Sequence, residues 1–322
     1  MNRLERLIWN SVPVKILVLK SQRIILPGFQ GLPLYDVVFF FVQQIKKVGL
    51  SERASSIAFN FLMAIPAAII FLCTLLPYMP ISKEITAQLL VLANNFIRDR
   101  NTFLAVEKFL NDFLNTPRGG LLSLGFFLAV LYSSNAMLGI MRTFNKSLIK
   151  SSKRNFLESR WMAIKLTTLV IVLIILSLIL SIIQGELFNR LLTWMDINHP
   201  VINSLINSFR YIVIVALIFY AIAFIYKYAP AVKKRWKLYS PGTILATFLT
   251  IATTFMFSFW VSKFGNYNKV YRSIGTILII MLLTYINAFI LLIGFELNAS
   301  IHSIKHIAEE RKHPHQIKPA SK

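Results

Sequence analysis

WMAIKLTTLVIVLIILSLIL, at residues 161–180, contains one lysine near its start and no other ionisable side chain. In an α-helix, about 20 residues of this kind cover the roughly 30 Å of hydrocarbon in a lipid bilayer. The stretch therefore predicts a membrane-embedded protein. Its function must be one that is performed in or across a bilayer.

The composition of the whole chain supports the same class. Hydrophobic residues make up 56% of the 322 residues, and the mean hydropathy is +0.62, well above that of a soluble domain. The single cysteine, Cys73, excludes a disulfide within the chain and a thiolate metal cluster. A net charge of +22 suggests nucleic acid binding in a soluble protein, but in a membrane protein its distribution around the spans decides its meaning.

Six apolar runs predict an all-α, multi-pass membrane domain at residues 34–300. The predicted spans are residues 54–76, 120–140, 163–183, 211–226, 243–261 and 274–298. The fourth run is short for a span, and an upstream start near Val201 is the alternative. Pro66 interrupts the first span, where we expect it to kink the helix and open space beside it.

Lysine and arginine are distributed unevenly between the two sides of these spans. The side that includes both termini receives 24 of the 35, the other side receives 10, and Lys165 lies within a span. Because positive residues accumulate in cytoplasmic loops, a basic leader at residues 1–33 and a tail at residues 301–322 are both predicted to be cytoplasmic. The predicted partners are anionic membrane lipids and no nucleic acid, with a homo-oligomer left open.

Two further regions have the periodicity of amphipathic helices outside the spans. At residues 34–48, apolar side chains recur at helical spacing after Pro33, which predicts a helix along the cytoplasmic membrane surface. In the loop after the first span, apolar stripes at residues 85–96 and 103–113 predict a helical pair on the outer side. This pair either only packs on the domain or forms a gate or partner surface.

Several short sequences, in order along the chain, resemble those of the YihY/BrkB family of membrane proteins. They are SERASSIAFNFLMAIPAAIIF (51–71), the cluster of Arg142, Phe144 and Asn145, YKYAP (226–230) with Trp236 and Pro241-Gly242 after it, NYNKVYRSIG (266–275) and GFELNA (294–299). The resemblance covers roughly residues 36–300. Arg272 is a departure, because the family pattern has glycine there, and a flexible position is lost.

The resemblance implies a six-helix inner-membrane protein of bacteria, transport-like in activity, from a family once labelled ribonuclease BN. Two function classes follow. A transport or permeation protein predicts that polar residues of the spans converge on a cavity. A structural or assembly protein of the cell envelope predicts a packed bundle without a pore. Ribonuclease activity is a third class that rests only on the old label.

Glu296 is the first candidate for a functional side chain, because it is the acidic residue within the last apolar run. An ionised carboxylate in hydrocarbon is costly unless it is paired, and near a helix C-terminus it also opposes the helix dipole. The topology places Arg53 and Arg142 at the same edge of the membrane, so either is a candidate partner. A structural ion pair and a substrate or proton site are both compatible with this pattern.

Polar side chains of the other spans and their ends are the second candidate set. The set comprises Ser56, Asn60, Asn135, Asn145, Thr284 and Asn287. Ser56 and Asn60 are one turn apart, and Thr284 and Asn287 share a helix face. Such residues either hydrogen bond across helices and to their own backbone or, when they face a common cavity, line a polar path.

Signatures of catalysis and of metal binding are missing from the sequence. It contains no GxxxxGK[ST], GxSxG or GxGxxG motif, and its 13 acidic residues are too scattered to hold the two metal ions of many nucleases. His302 and His306 are one turn apart, as in some zinc sites, but no further ligand set accompanies them. We therefore predict no catalytic residue, no metal site and no cofactor.

Overall fold

The structure is a computed structural model, and it describes residues 19–78, 90, 100–115, 117–148, 152, 154–183, 200–232, 235–264 and 272–312. None of these residues is in a β-strand. The helices are α1 (Leu34–Val48), α2 (Leu50–Leu75), α3 (Arg100–Asn115), α4 (Gly119–Ser147), α5 (Phe156–Ile183), α6 (Pro200–Tyr228), α7 (Pro241–Phe264) and α8 (Arg272–Lys312), with a 3-10 turn at Leu76–Tyr78. The predicted all-α fold is confirmed.

Six stretches within the described residues are helical, long and apolar enough to cross a bilayer. They are Leu50–Leu75, Gly119–Ser147, Phe156–Ser177, Tyr211–Tyr228, Pro241–Trp260 and Leu278–Ala308. Large apolar side chains such as Phe248, Phe255 and Phe259 of α7 are exposed, as is expected for helices whose outer surface meets lipid. The prediction of six spans is confirmed, and the helix of the fourth span begins upstream, at Pro200.

Proline marks the start of α1, and glycine marks the boundary between α1 and α2. Pro33 precedes α1 with a φ of −62°, which suits the entry to a helix. Gly49 ends α1 with a φ of +63°, in the left-handed region where glycine is favoured, and α2 begins at the next residue. Pro66 lies inside α2, which is helical on both sides of it, and the kink there stays a prediction.

The apolar face of α1 is shared between the protein and its surroundings. Its inward part joins a core cluster that consists of Phe29, Val37, Leu297 and Ile301, with Leu34 and Phe41 packed against it. Val38, Phe39 and Val42 of the same helix are exposed. The helix at residues 34–48 is thus anchored on α8, while its location along the membrane surface stays a prediction.

The final helix is longer than the span predicted for it. α8 contains 41 residues, or about 60 Å of helix, twice the thickness of the bilayer hydrocarbon. Residues 301–312, assigned from the sequence to a tail, continue this helix because the stripe of Leu297, Ile301 and Ile304 keeps its helical spacing against α1. The span predicted from the sequence ends at Asn298, whereas the helix itself ends at Lys312.

The chain forms two compact units. The smaller is Ala58–Met137, and the larger comprises Met1–Ile57 and Leu138–Lys322. In the smaller unit α2 and α4 approach closely at Gly125, where an added Cβ would lie 3.2 Å from the Cα of Phe71. The predicted stripe at residues 103–113 lies on α3, and the stripe at residues 85–96 falls outside the described residues apart from position 90.

Candidate functional site

Glu296 of α8 is fully buried and is bound by side chains from two other helices. Ser147, the last residue of α4, donates a hydrogen bond from Oγ to Oε1 of Glu296. Arg53, in the first turn of α2, places Nη1 4.0 Å from the same Oε1 and donates from Nη1 to Ser147 Oγ over 2.8 Å. We call these three residues the Glu296 cluster, and all of them belong to the larger unit.

The number of protons fixes the direction of the hydrogen bonds in the Glu296 cluster. A guanidinium only donates, and the Ser147 hydroxyl has one proton to give. Since Arg53 donates to the hydroxyl oxygen, the hydroxyl proton is available for the carboxylate. Arg53 makes no direct hydrogen bond to Glu296, because 4.0 Å is too long for one, but its charge attracts the carboxylate at this distance while Ser147 bridges the two side chains.

The second carboxylate oxygen of Glu296 is in a different situation. Oε2 is buried and has no hydrogen-bond partner among the described residues. A buried carboxylate ordinarily has its oxygens hydrogen-bonded, because unsatisfied polar atoms are costly away from water. Oε2 is therefore a buried acceptor whose partner is not found among the described residues.

The structure selects Arg53 over Arg142 as the partner of Glu296, because the Arg142 side chain is exposed. Ser147 was not predicted from the sequence. The signal for it is a stripe of buried side chains on α4 at spacings of four, three and four, which consists of Ala136, Ile140, Thr143 and Ser147. Following that stripe beyond Arg142 places Ser147 on the inward face.

Aromatic rings enclose Phe295, the neighbour of Glu296 in the sequence. The Phe144 ring is stacked on it with the centroids 3.7 Å apart, and the Trp236 ring lies at 5.1 Å. Tyr226 meets Phe295 edge-on at 6.0 Å and donates its hydroxyl proton to the carbonyl of Leu291 over 2.7 Å. These rings exclude water from the region, and electrostatic interactions are stronger in such surroundings.

Two glycines allow α7 and α8 to cross at very short distance. A Cβ added to Gly294 would lie 2.5 Å from the hydroxyl oxygen of Tyr226 and 2.7 Å from the Cβ of Ala246. A Cβ added to Gly242 would lie 2.6 Å from Cγ of Asn298. Small residues are the usual means by which membrane helices approach this closely. The crossing fixes the position of α8 and hence of Glu296.

Asn298 ties α8 to the start of α7. Its Oδ1 accepts a hydrogen bond from the Gly242 N–H over 2.8 Å, and its Nδ2 donates to Ser240 Oγ over 2.8 Å. Ser240 precedes α7 as its N-cap residue, because its Oγ accepts the Thr243 N–H at 3.3 Å. The sequences Pro241-Gly242 and GFELNA, far apart in the chain, therefore meet at one place.

Comparison with known proteins assigns the chain to a family. The sequence profile described as Virulence factor BrkB matches residues 41–319. The chain belongs to the BrkB family. The ribonuclease-like protein YfkH of Bacillus subtilis is 29% identical to it over 259 residues, which are 80% of this chain and 92% of that protein. A UPF0761 membrane protein of Tolumonas auensis is 24% identical over 138 residues, 42% of this chain and 46% of that one. No solved structure matches the chain significantly.

A second polar cluster of this BrkB protein holds the end of α6. Arg154 donates to the carbonyl oxygens of residues 228–230 at distances from 3.0 to 3.5 Å, and Asn145 Oδ1 accepts the Ala231 N–H over 2.8 Å. Burial lowers the pKa of Arg154, and the nearby charge of Arg235 adds to this, but a guanidinium stays protonated. Asn145 and Arg154 thus satisfy backbone groups that the helix end leaves without partners.

The other polar candidates of the BrkB spans are divided between the two units. Thr284 Oγ1 and Asn287 Nδ2 donate to carbonyls one turn earlier in α8, over 2.7 and 3.0 Å, which agrees with a structural interpretation. Ser56 is exposed in the larger unit, and Asn60 and Asn135 are half-buried in the smaller one. A polar path formed by this set stays a prediction.

The two histidines with zinc-like spacing lie on the long final helix of the BrkB chain. His302 and His306 both line a pocket beside the start of α7. Among the described residues, no group of three His, Cys, Asp or Glu side chains is placed to hold a metal ion. The side chains of Glu309 and Glu310 fall outside the described residues.

Proposed function

We propose that this BrkB-family membrane protein is a transport or permeation protein of the bacterial inner membrane and is not an enzyme. The observation that carries the proposal is the burial of Glu296 with only one of its two carboxylate oxygens bonded to a residue that the structure describes. Ionisable groups within membrane domains are expensive and most often mark an ion, proton or solute pathway. A purely structural ion pair has less reason to leave one oxygen without a partner.

In this proposal Glu296 is the binding group and Arg53 is the partner that responds. Oε2 accepts a proton or a cationic group of the solute. The bound group then neutralises the carboxylate, so that Arg53 is no longer required as its counter-ion. The Arg53 side chain is 21% exposed, so it can turn towards water when it leaves the Glu296 cluster. Because the cluster joins α2, α4 and α8, such an exchange would be coupled to a movement of these helices.

A structural or assembly protein of the envelope is the second candidate function. The stack of Phe144 on Phe295 and the glycine crossing of α7 and α8 favour it, since they are features of a rigid junction. In that case the Glu296 cluster only fixes the position of α8. Ribonuclease activity is the least supported candidate, because it is suggested only by the name of YfkH.

Reconstitution into liposomes tests the choice between the first two candidates. We expect the full-length protein to carry at least one of a panel of small solutes, or protons, faster than empty liposomes do. Glu296→Gln removes the charge of the proposed site, and we expect it to lower this flux about tenfold. A tenfold decrease corresponds to a loss of about 1.4 kcal/mol of transition-state stabilisation. Flux is followed with an internal pH dye and radiolabelled solutes.

Glu52→Gln is the matched control for this measurement. It makes the same chemical change at an exposed carboxylate one position before Arg53, and we expect normal flux. Wild-type protein that moves no solute and no protons, or a Glu296→Gln variant as active as Glu52→Gln, would contradict the transport proposal and favour a structural role.

We propose that both termini are cytoplasmic and that α1 lies at the cytoplasmic surface of the membrane. The cytoplasmic location of the termini is supported by the distribution of lysine and arginine, of which 24 lie on the side that includes both termini and 10 on the other side. The location of α1 is supported by the exposed apolar residues Val38, Phe39 and Val42, with Lys46 and Lys47 in the last turn of the same helix. Such a helix binds anionic lipids through both its apolar and its basic side chains.

Labelling of single cysteines tests this topology. In a Cys73→Ala background, we expect Arg190→Cys to react with a membrane-impermeant maleimide in intact spheroplasts. Lys150→Cys is expected to react only after the membrane is permeabilised, because position 150 belongs to a predicted cytoplasmic loop. Reaction at position 150 and protection at position 190 would reverse the assignment.

A further inference from the structure

A pocket of about 550 Å³ lies in the larger unit, where the loop before α1, the segment before α7 and the last turns of α8 meet. Its lining side chains include Arg235, Lys237, Lys305, His302, His306 and Trp236. No acidic residue is among the described residues that line it. We call it the basic pocket. Its volume lies within the range of roughly 300–1,000 Å³ that small-molecule sites have.

The basic pocket is separate from the Glu296 cluster. Asn298 is a lining residue, whereas Glu296, Ser147 and Arg53 are not among the residues that line it. The two sites share α8, whose residues at and after Asn298 form one wall of the pocket, and Trp236 of the pocket also packs on Phe295. Whatever binds in the pocket therefore contacts a different set of side chains from those of the proposed transport site.

The start of α7 borders the pocket but does not supply free backbone donors to it. The Gly242 N–H is bonded to Asn298 Oδ1 and the Thr243 N–H to Ser240 Oγ. The helix dipole adds a partial positive charge at this end. The hydrogen-bond donors that we consider for a ligand are therefore the basic side chains rather than the helix terminus.

The basic side chains of the pocket come from two directions. Arg235 and Lys237 precede α7 and are exposed, and Lys305 projects from α8. The Arg235 guanidinium lies over the Tyr228 ring, 4.9 Å from its centroid, which restricts its orientation. Cations on opposite walls, with no acidic residue among the described residues that line the pocket, form a concave surface that attracts multivalent anions.

Trp236 provides a second, independent observation. It lines the pocket, it is only 9% exposed, and its Nε1–H has no hydrogen-bond partner among the described residues. A buried donor without an acceptor costs about 1–3 kcal/mol. Its ring is held in place by Phe295 at 5.1 Å, so the indole does not turn away easily. Nε1 itself is buried, so an anionic oxygen in the pocket would satisfy it only after a small movement of this wall.

In the topology predicted from the sequence, the pocket lies at the level of the membrane surface rather than in the hydrocarbon. Its α8 wall begins at Asn298, where the predicted apolar run ends, and its other wall ends at Pro241, where α7 begins. Polar and basic side chains at this level meet lipid headgroups and water. Anions from both environments can therefore reach it.

We propose that the basic pocket binds a phosphoryl-bearing anion through Arg235, Lys237 and Lys305. A phosphoryl group carries several acceptor oxygens and one to two negative charges, which matches a pocket with donors on two walls. Two sources share this chemistry, the headgroup of an anionic phospholipid and soluble phosphate. The proposal does not depend on transport, since a structural protein would bind the same anion equally well.

The test uses purified full-length protein in a neutral detergent. Native mass spectrometry measures how much dioleoyl phosphatidylglycerol remains bound in comparison with dioleoyl phosphatidylcholine. Thermal unfolding measures stabilisation by inorganic phosphate in comparison with chloride at equal ionic strength. The variants are Arg235→Gln, Lys237→Gln and Lys305→Gln, with Lys146→Gln as the control at an exposed lysine outside the pocket.

We expect the wild type to prefer phosphatidylglycerol to phosphatidylcholine, to be stabilised by phosphate, or both. Each pocket variant should weaken this binding about fivefold, and Lys146→Gln should leave it unchanged. Preference for the lipid alone identifies a headgroup site, and stabilisation by phosphate identifies a site that also accepts the soluble anion.

No preference in either measurement overturns the proposal. So does a preference that survives all three pocket variants, or one that Lys146→Gln weakens equally, since both show a diffuse surface charge. Arg235 and Lys237 are exposed, so their variants are expected to fold and keep the test decisive if Lys305→Gln yields little protein.

Discussion

Replacement of Arg53 by alanine is expected to lower the free energy of unfolding by about 3 kcal/mol. The change leaves the carboxylate of Glu296 buried with Ser147 as its remaining partner. Glu296→Gln should cost less, about 1 kcal/mol, because the stranded arginine is partly exposed and can reach water. Replacing either partner of this ion pair is therefore expected to lower the free energy of unfolding by a different amount, because Glu296 is buried and Arg53 is partly exposed.

Unfolding of the detergent-solubilised protein, followed by tryptophan fluorescence, measures these differences. Arg142→Ala is the matched control. Because this arginine of α4 is exposed, its replacement is expected to change the free energy of unfolding by no more than about 0.5 kcal/mol. The double variant of Arg53 and Glu296 should be less destabilised than the sum of the single changes by about 1 kcal/mol or more. Full additivity, or an Arg142→Ala variant as unstable as Arg53→Ala, would refute the pairing.

Gly294→Ala is expected to destabilise the protein by about 3 kcal/mol, at the upper end of the usual cost of overpacking. The added methyl group would meet the Tyr226 hydroxyl at 2.5 Å and the Ala246 Cβ at 2.7 Å, and neither neighbour has free space behind it because both are buried. Relief requires α7 and α8 to separate, which weakens the bonds of Asn298 to Ser240 and Gly242.

The melting temperature and the monodisperse fraction on size-exclusion chromatography report this effect. Gly120→Ala is the control, since a Cβ there has nothing within 4 Å. Adding Ala246→Gly to Gly294→Ala should restore part of the stability and no more, because the contact with Tyr226 remains. A Gly294→Ala protein that melts like the wild type would mean that the crossing of α7 and α8 is looser than described.

The same crossing controls the geometry of the proposed transport site. Within the sequence GFELN, Gly294 and Asn298 contact α7, Phe295 contacts the aromatic rings, and Glu296 contacts α2 and α4. This short segment of α8 thus contacts α2, α4, α6 and α7. A shift of α8 along α7 would move the carboxylate out of reach of Ser147, so stability and function depend on one contact surface.

The spans were predictable because crossing a bilayer is a local property. Each span must contain enough apolar residues to cover the hydrocarbon, and this is visible in a window of about 20 residues without knowledge of any neighbour. The limits of α1 were also local, since Pro33 and Gly49 act on their own backbone. The extent of α8 to Lys312 was not predictable from local sequence, because its last turns are stabilised by contacts with α1, more than 250 positions earlier in the chain.

Glu296 was identifiable from its chemistry alone, since an acid in an apolar run is costly wherever the run is placed. The predicted topology gave an expected depth for Glu296 and offered two arginines, but depth does not say which way a side chain points around a helix. The choice of Arg53 and the presence of Ser147 were decided by tertiary contacts between residues 94 and 149 positions apart. The close approach of α8 to α7 at Gly242 and Gly294 is likewise a steric fact that no single segment contains.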